Sequence, residues 1–165
     1  MKKNNQRGFT IIELIVYLAI ASIILVSISY LIIDIISGQT KSVADREVNY
    51  NARIIGQVVS RDIRAAAGIG SLTNDTMTLA MPGDDITYTF DAGSSSLTRQ
   101  IGTATAEVVH GDAVTVTGTF SDLSRFGRSK NVGVELLVSY KNPDNLSDFN
   151  ATTSLSFSTQ LRGIK

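Results

Sequence analysis

The hydrophobic residues of the chain first form a continuous run. From Leu14 to Ile33 there are twenty consecutive residues without a charged side chain. At about 1.5 Å rise per residue, a helix of this length reaches roughly 30 Å, the thickness of the hydrocarbon core of a bilayer. We therefore predict a transmembrane segment over about residues 11–33. The leader Met1–Arg7 is basic and has no acidic residue, which predicts a cytoplasmic N-terminus and an extracytoplasmic C-terminal domain.

Beyond Asp34 the apolar residues recur at spacings of three and four, a pattern typical of a helix with one buried face. These residues are Val48, Ala52, Ile55, Val59 and Ile63. The helix is predicted to end near Ala67, because Gly68-Ile69-Gly70-Ser71 breaks the pattern. We assign the charged residues of this stretch to its solvated side and expect no catalytic role for them: Lys41, Asp45, Arg46, Arg53, Arg61, Asp62 and Arg64.

The rest of the chain alternates apolar and polar residues, as strands do. Met77-Leu79-Met81 and Ile86-Tyr88-Phe90 show this most clearly, and Ala92-Gly93-Ser94-Ser95-Ser96 is typical of a turn before Leu97–Ile101. Further strands are predicted around Glu107–His110, Ala113–Phe120, Val132–Tyr140 and Thr153–Leu161. The predicted fold class is α+β. A long helix over residues 9–67, transmembrane in its first half and amphipathic in its second, packs on an antiparallel β-meander domain over residues 71–165.

Composition narrows the possible functions. The chain has 15 basic and 15 acidic residues, so loss of the leader with Lys2, Lys3 and Arg7 would leave a mildly acidic protein. A mildly acidic surface argues against a protein dedicated to nucleic-acid binding, which is normally basic. There is no cysteine, and therefore neither a disulfide nor a thiol nucleophile is available.

Metal and cofactor sites are not indicated. His110 is the only histidine, and a lone strand histidine is more often structural than catalytic or metal-binding. The loop from Lys141 to Asp148 offers oxygen atoms, but their spacing does not match that of an EF-hand. We interpret this loop as a turn built on Asn, Pro and Asp rather than as a calcium site. We expect no cofactor, no bound metal and no catalytic residue.

The junction between leader and apolar run carries a specific motif. Gly8-Phe9-Thr10-Ile11-Ile12-Glu13-Leu14-Ile15 resembles the class III signal of type IV pilins and type II secretion pseudopilins. The resemblance implies that residues 1–8 are a prepilin leader, that prepilin peptidase cuts between Gly8 and Phe9, and that the new N-terminal Phe9 is N-methylated. A glycine at the cut also suits an extended backbone in a protease cleft, since it has no Cβ.

Glu13 has two interpretations. An acidic residue at the head of a membrane segment is costly and usually functional, and the resemblance implies that Glu13 compensates the N-terminal amine of a neighbouring subunit during assembly. Alternatively, Thr10 and Glu13 have the spacing of a capping box, and a carboxylate is favoured in the first turn of a helix. The two roles are compatible, and both stay open here.

The C-terminal region adds a looser resemblance. The hairpin phrase from Ile86 to Arg99 and the late Gln160-Leu161-Arg162-Gly163 resemble minor subunits of the type II secretion J or PilW-like kind. The resemblance implies a non-enzymatic minor pilin or pseudopilin, whose partners are the peptidase and methyltransferase, other subunits and the membrane.

Two alternatives stay open beside the filament subunit. One is a permanently membrane-anchored binding or adhesion module, whose helix never enters a filament. The other is a minor pilin for DNA uptake. A short basic cluster with one aromatic residue could attract and stack on single-stranded DNA. Its members are Arg125, Phe126, Arg128 and Lys130.

Overall fold

The computed structural model describes residues 10–125, 130–142 and 144–162. The predicted leader, residues 1–8, and Phe9 lie outside the described residues. The chain divides into two compact units, Met1–Gln39 and Thr40–Lys165. One helix, α1 (Ile11–Ala65), contributes residues to both units.

In the first unit, α1 presents its large apolar side chains to the surroundings on all sides. From Ile11 to Ile36 every large hydrophobic side chain is exposed. In the described part of the chain, α1 is the one helix long and apolar enough to cross a membrane. Three serines in this stretch donate their hydroxyls to carbonyls one turn earlier: Ser22 to Leu18, Ser27 to Ile23 and Ser29 to Leu25. These bonds satisfy the hydroxyls within the helix, which suits an apolar environment.

The second unit contains two antiparallel sheets, each with its strands in sequence order. The first sheet consists of β1 (Gly68–Leu72), β2 (Thr76–Ala80), β3 (Ile86–Asp91), β4 (Ser96–Ile101) and β5 (Glu107–Val108). The second sheet consists of β6 (Val114–Asp122), β7 (Asn131–Tyr140) and β8 (Thr152–Gln160). The predicted α+β class, a long apolar N-terminal helix followed by antiparallel strands, is confirmed.

The core of the second unit lies between the amphipathic part of α1 and the two sheets. Every residue of the predicted helical stripe from Val48 to Ile63 is buried, and Ala44 extends the stripe by one turn. From the first sheet, the alternating residues Met77, Leu79 and Tyr88 are fully buried, and β6 and β7 add a further set. That set is Val114, Val116, Phe120, Val132, Val134, Leu136 and Val138.

The structure departs from the sequence analysis in three details. The helix ends at Ala65 rather than near Ala67, and Gly68 begins a strand, β1, where only a break was predicted. The register of β1 shifts between Ile69 and Ser71. The glycines of this segment, which are typical of a loop in the sequence, therefore lie in an edge strand that contains a bulge. The strands also divide into two sheets instead of one meander, which the alternation of residues alone does not reveal.

Gly118 marks the place where the two sheets meet. The Phe90 and Phe120 rings pack with their centroids 4.7 Å apart, joining β3 to β6. A Cβ on Gly118 would lie 2.7 Å from Cζ of Phe90 and would overlap the carbonyl oxygen of Glu135. Glycine is therefore required by close packing between the sheets.

We predict that Gly118→Ala destabilises the second unit by about 2 kcal/mol, because the added methyl group forces Phe90 and the β7 backbone apart. Urea unfolding of the full chain in detergent micelles, followed by circular dichroism, measures the change. Gly83→Ala is the control, since a Cβ there meets nothing within 4 Å. Equal stability of the two variants would contradict the packing role of Gly118.

Candidate functional site

Thr10 and Glu13 form the described part of the candidate N-terminal site. The helix begins at Ile11, and Thr10 precedes it as the N-cap. The Glu13 amide donates to Thr10 Oγ1 at 3.3 Å, and the Leu14 amide donates to the Thr10 carbonyl at 3.2 Å. The Thr10 side chain thereby satisfies the Glu13 amide, which has no partner inside the helix, and the Thr10 carbonyl accepts the first backbone bond of the helix. This is the geometry of the Thr10 half of a capping box.

The Glu13 carboxylate is half-buried and turned along the helix. Its Oε1 accepts a hydrogen bond of 3.2 Å from the Tyr17 hydroxyl, one turn later. Tyr17 was not among the predicted site residues, although its spacing of four from Glu13 could have indicated the contact. A tyrosine hydroxyl supplies a hydrogen-bond donor and no counter-charge.

Gly8 and Phe9, the predicted cleavage and N-methylation positions, lie outside the described residues. Their roles stay predictions from the sequence.

Asp62 corrects the sequence analysis. We assigned it to the solvated side of the helix, but it is buried, with 4% of its surface exposed. Asp62 lies three residues after Val59 and seven after Ile55, and this spacing places it on the apolar face. The spacing of the hydrophobic residues therefore indicated that Asp62 is buried. We assigned it to the solvated side because carboxylates generally prefer water.

Three hydrogen-bond donors surround the buried carboxylate. The Tyr88 hydroxyl donates to Oδ2 at 2.7 Å, and Arg99 Nε donates to the same oxygen at 2.8 Å. Arg61 Nε reaches Oδ1 at 3.2 Å from the solvent side. Tyr88 and Arg99 are directly opposite each other in β3 and β4. The cluster therefore ties α1 to two strands of the first sheet through one anion.

The pKa shifts follow from this geometry. Burial alone raises the pKa of Asp62, but the hydrogen bonds from Tyr88, Arg99 and Arg61 outweigh it, so the pKa lies below its ordinary value. Burial, and then the neighbouring carboxylate, raise the pKa of Tyr88 well above its ordinary value. For Arg99, the bond to Asp62 outweighs burial and the pKa is raised. The cluster is thus an ionised Asp62, a neutral tyrosine and a cationic arginine, and it is a structural link with no exposed reactive group.

A second buried polar residue, Asn51, binds the segment between β5 and β6, which connects the two sheets. Its Oδ1 accepts the Gly111 amide at 2.8 Å, and its Nδ2 donates to the carbonyl and the carboxylate of Glu47. His110 Nδ1 lies 3.0 Å from the Gly111 carbonyl oxygen, and its buried Nε2 has no hydrogen-bond partner in the described structure. The interpretation of His110 as structural stays a prediction from the sequence.

The predicted basic cluster is described only in part. Arg125 and Lys130 are exposed, whereas Phe126 and Arg128 lie outside the described residues. The arrangement needed to stack and bind a single strand is therefore not defined by the structure, and DNA binding stays an open alternative.

The loop after β7 is closed by an asparagine. The Asn142 side chain donates to the Leu146 carbonyl at 2.8 Å and accepts the Leu146 amide at 2.9 Å. Its Nδ2 also lies 2.8 Å from Asn150 Oδ1. These bonds describe a turn held by amide groups. Among the described residues there is no group of three His, Cys, Asp or Glu side chains that could hold a metal ion.

Comparison with known protein families identifies the N-terminal motif. Residues 3–29 match the model of the prokaryotic N-terminal methylation motif. The match is consistent with the type IV pilin and pseudopilin family, and it supports a protein processed by prepilin peptidase. Together with the apolar helix, it is consistent with a single-pass membrane anchor. No curated protein and no solved structure matches the chain.

We predict that Asp62→Asn lowers the free energy of unfolding of the second unit by about 2–3 kcal/mol. The change removes the anion and leaves the Arg99 guanidinium, 24% exposed, without its counter-charge. Urea unfolding in micelles measures the loss. The control is Asp45→Asn, which neutralises an exposed carboxylate on the same helix and should change stability by less than about 0.5 kcal/mol. An equally small change in the free energy of unfolding for Asp62→Asn would show that the cluster does not stabilise the fold.

The same cluster predicts a dependence on pH. The pKa of Asp62 is lower in the folded state than its ordinary value of 3.8, so the unfolded chain binds the proton first. The stabilisation is therefore complete above about pH 4 and is lost as the pH falls through the folded-state pKa. In a series of urea unfolding curves from neutral pH to about pH 3, Asp62→Asn should lose less stability than the unchanged chain. Parallel losses in both proteins would contradict this assignment.

Proposed function

We propose that the chain is a non-enzymatic minor pilin or pseudopilin, which is assembled into a type IV pilus-like or type II secretion filament. Prepilin peptidase removes residues 1–8 by cutting between Gly8 and Phe9, and the new amine of Phe9 is methylated. The apolar part of α1 then holds the protein in the cytoplasmic membrane as a single pass. The second unit lies outside the cytoplasm until the subunit is recruited.

The observation that carries the proposal is the match to the methylation motif over residues 3–29. It coincides with a helix that begins at Ile11, the third residue after the proposed cut, and exposes apolar side chains on all sides. An exposed surface of this kind is stable in lipid or against other apolar helices, and it is unfavourable in water. Storage in a membrane and packing in a filament both satisfy this requirement.

The role of Glu13 in assembly follows from the charges around it. Between Thr10 and Thr40 the sequence contains no lysine or arginine. After the proposed cut, the Phe9 amine is the one positive group near Glu13 on the same segment, and methylation preserves its charge. In a filament, pairing of Glu13 with the amine of an adjacent subunit would compensate both charges in an apolar environment and would set the axial register of the two helices.

The assignment as a minor subunit rests on the second unit. Its hairpin from Ile86 to Arg99 corresponds to β3 and β4, the region in which the sequence resembles the J or PilW-like kind. A nearly neutral, cysteine-free unit stabilised by packing and by the Asp62 cluster suits a folded extracytoplasmic domain. No catalytic arrangement is found among the described residues, and we propose a role in assembly rather than in chemistry.

We predict that co-expression with active prepilin peptidase shortens the chain by Met1–Gly8 and leaves an N-methylated Phe9. Mass spectrometry of the purified protein measures both changes. Gly8→Val should block the cut, because its branched side chain would occupy space in the protease cleft that a residue without a Cβ leaves free. An inactive peptidase is the control for cleavage by other proteases. An intact Met1 in the presence of active peptidase would refute the filament subunit and favour the permanently anchored module.

We predict that Glu13→Gln leaves membrane insertion unchanged and reduces incorporation into filaments at least tenfold, the factor expected for a loss of about 1.4 kcal/mol. Quantitative immunoblots of sheared filaments and of the membrane fraction measure the two effects. Gln retains the N3 role in a capping box, so this variant separates charge from capping.

Thr10→Ala is the matched variant for the capping role, because it removes the Oγ1 that accepts the Glu13 amide. If capping alone explained Glu13, Thr10→Ala would impair assembly and Glu13→Gln would not. That pattern would contradict the proposed charge pairing.

A further inference from the structure

The two sheets have four edges, and three of them are shielded. An edge strand offers unpaired amides and carbonyls that can pair with another chain, and proteins usually protect such edges. β1 is short and its register is irregular, and β5 has two residues. The outer edge of β6 is covered from the first sheet, because the Val116 amide donates to the Ser95 carbonyl and the Phe120 amide to the Asn74 carbonyl.

The fourth edge, on β8, has none of these protections. Thr152–Gln160 is nine residues long, contains no charged residue and no proline, and pairs with β7 without a register shift. Among residues 10–125, 130–142 and 144–162, no backbone hydrogen bond reaches its outer side. β8 is therefore a long, regular edge open for pairing.

The register identifies the free backbone groups. Tyr140 N donates to Ala151 O, and Leu161 N donates to Lys130 O, so the odd-numbered residues of β8 bond to β7. In an antiparallel pair both backbone groups of a residue point to the same side, and the sides alternate along the strand. The amides and carbonyls of Ser154, Ser156 and Ser158 consequently point to the open edge.

A groove runs beside this edge, between β8 and the helix. It has a volume of about 710 Å³, and its apolar lining includes Ala52, Gly56, Leu155 and Phe157. The contact of Thr153 with Asn49 and that of Thr159 with Ser60 show that α1 and β8 run in the same direction here. A strand added to β8 would direct every second side chain into this groove.

The ends of the groove are basic. Arg53 lines the end near Thr153, and Arg61 and Arg64 line the end near Thr159. A smaller adjoining cavity of about 470 Å³ adds Arg162. No acidic side chain belongs to the described lining of either cavity. Arg61 uses Nε for Asp62, but 70% of its side chain is exposed, so its remaining donors face the groove and solvent.

We infer that β8 binds an extended, acidic polypeptide segment of a partner protein as a fourth strand of the second sheet. The partner's backbone pairs with Ser154, Ser156 and Ser158. Its groove-facing side chains are small and apolar in the middle of the segment and acidic at both ends. The inference concerns only the Thr40–Lys165 unit, and it holds or fails independently of N-terminal processing.

Strand addition explains the site better than nucleic-acid binding. The open edge alternates donors and acceptors at the spacing of a polypeptide backbone, which a phosphate chain cannot match. The middle of the groove is apolar and offers nothing to a phosphate. An added strand, in contrast, can pair with the open backbone groups of β8, place small apolar side chains in the middle of the groove and place acidic side chains beside the arginines.

The test measures binding of a fluorescent nine-residue peptide to the full chain in detergent micelles, by anisotropy at about 0.1 M salt. The peptide has threonine at odd positions, valine at the two central even positions and glutamate at the two outer even positions. We expect saturable binding that weakens at least tenfold when the salt is raised to about 0.5 M. Hydrogen exchange should show protection of the Ser154, Ser156 and Ser158 amides.

Two variants test the two parts of the site. Ser156→Pro removes one open-edge amide without disturbing a bond to β7 and should weaken binding about fivefold, whereas Ser156→Ala should not. Arg64→Glu should weaken binding at least tenfold, whereas Arg46→Glu, an exposed arginine outside the groove on the same helix, should not. A peptide N-methylated at alternate residues should fail to bind, and this control needs no change in the protein.

Three results would overturn the inference. They are no binding up to about 1 mM peptide, equal binding of the N-methylated peptide, and equal or tighter binding of an oligothymidylate of the same charge. The last result would assign the groove to nucleic acid. Because the Gly8→Val chain keeps the same β8 edge, it should bind the peptide as the unchanged chain does, which separates this inference from the proposed function.

Discussion

The second unit depends on a single apolar face of α1 that serves two sheets at once. Ala44, Val48, Ile55 and Ile63 are each at most 1% exposed. Toward the first sheet the helix makes the Asp62 contacts with Tyr88 and Arg99, and toward the second it contacts β8 through Asn49, Gly56 and Ser60. A small sheet gains stability in water by packing its apolar face against a helix. The helix supplies the missing apolar layer, so a change on its buried face reaches both sheets.

Much of this fold could be predicted because its signals are local. A spacing of three and four identified the buried helical face, and a spacing of two identified the inward residues of β2 and β3. The division into two sheets could not be predicted in this way. It depends on Gly118 and Phe90 meeting across the molecule, and neither residue differs from its neighbours in any periodic property. β1 was missed because glycine-rich sequence signals a break in most contexts, whereas here it permits a bulge against β2.

The site residues show the same difference between local signals, which can be predicted, and contacts between distant residues, which cannot. Thr10 and Glu13 were predicted as site residues because a motif of a few consecutive residues carries them, and their described hydrogen bonds are local as well. Asp62 was misassigned, because its stabilising partners lie 26 and 37 residues away in the chain. A buried carboxylate becomes favourable only when a cation and proton donors converge on it. The sequence shows the cost of such burial and does not show the compensation.

Asp62 and Glu13 illustrate two ways to place an acid within an apolar helical surface. Asp62 is compensated inside its own unit, by Arg99, Arg61 and the Tyr88 hydroxyl. Its contribution is therefore to the stability of the fold. Glu13 receives the Tyr17 hydroxyl, but the sequence from Thr10 to Thr40 contains no cationic side chain that could balance it. Under the proposed function, the charge of Glu13 is met by the amine terminus of a neighbouring subunit, and in a lipid-like environment this pairing favours the association of two such helices. An acidic side chain thus stabilises one unit and, under the proposed function, drives assembly through the other.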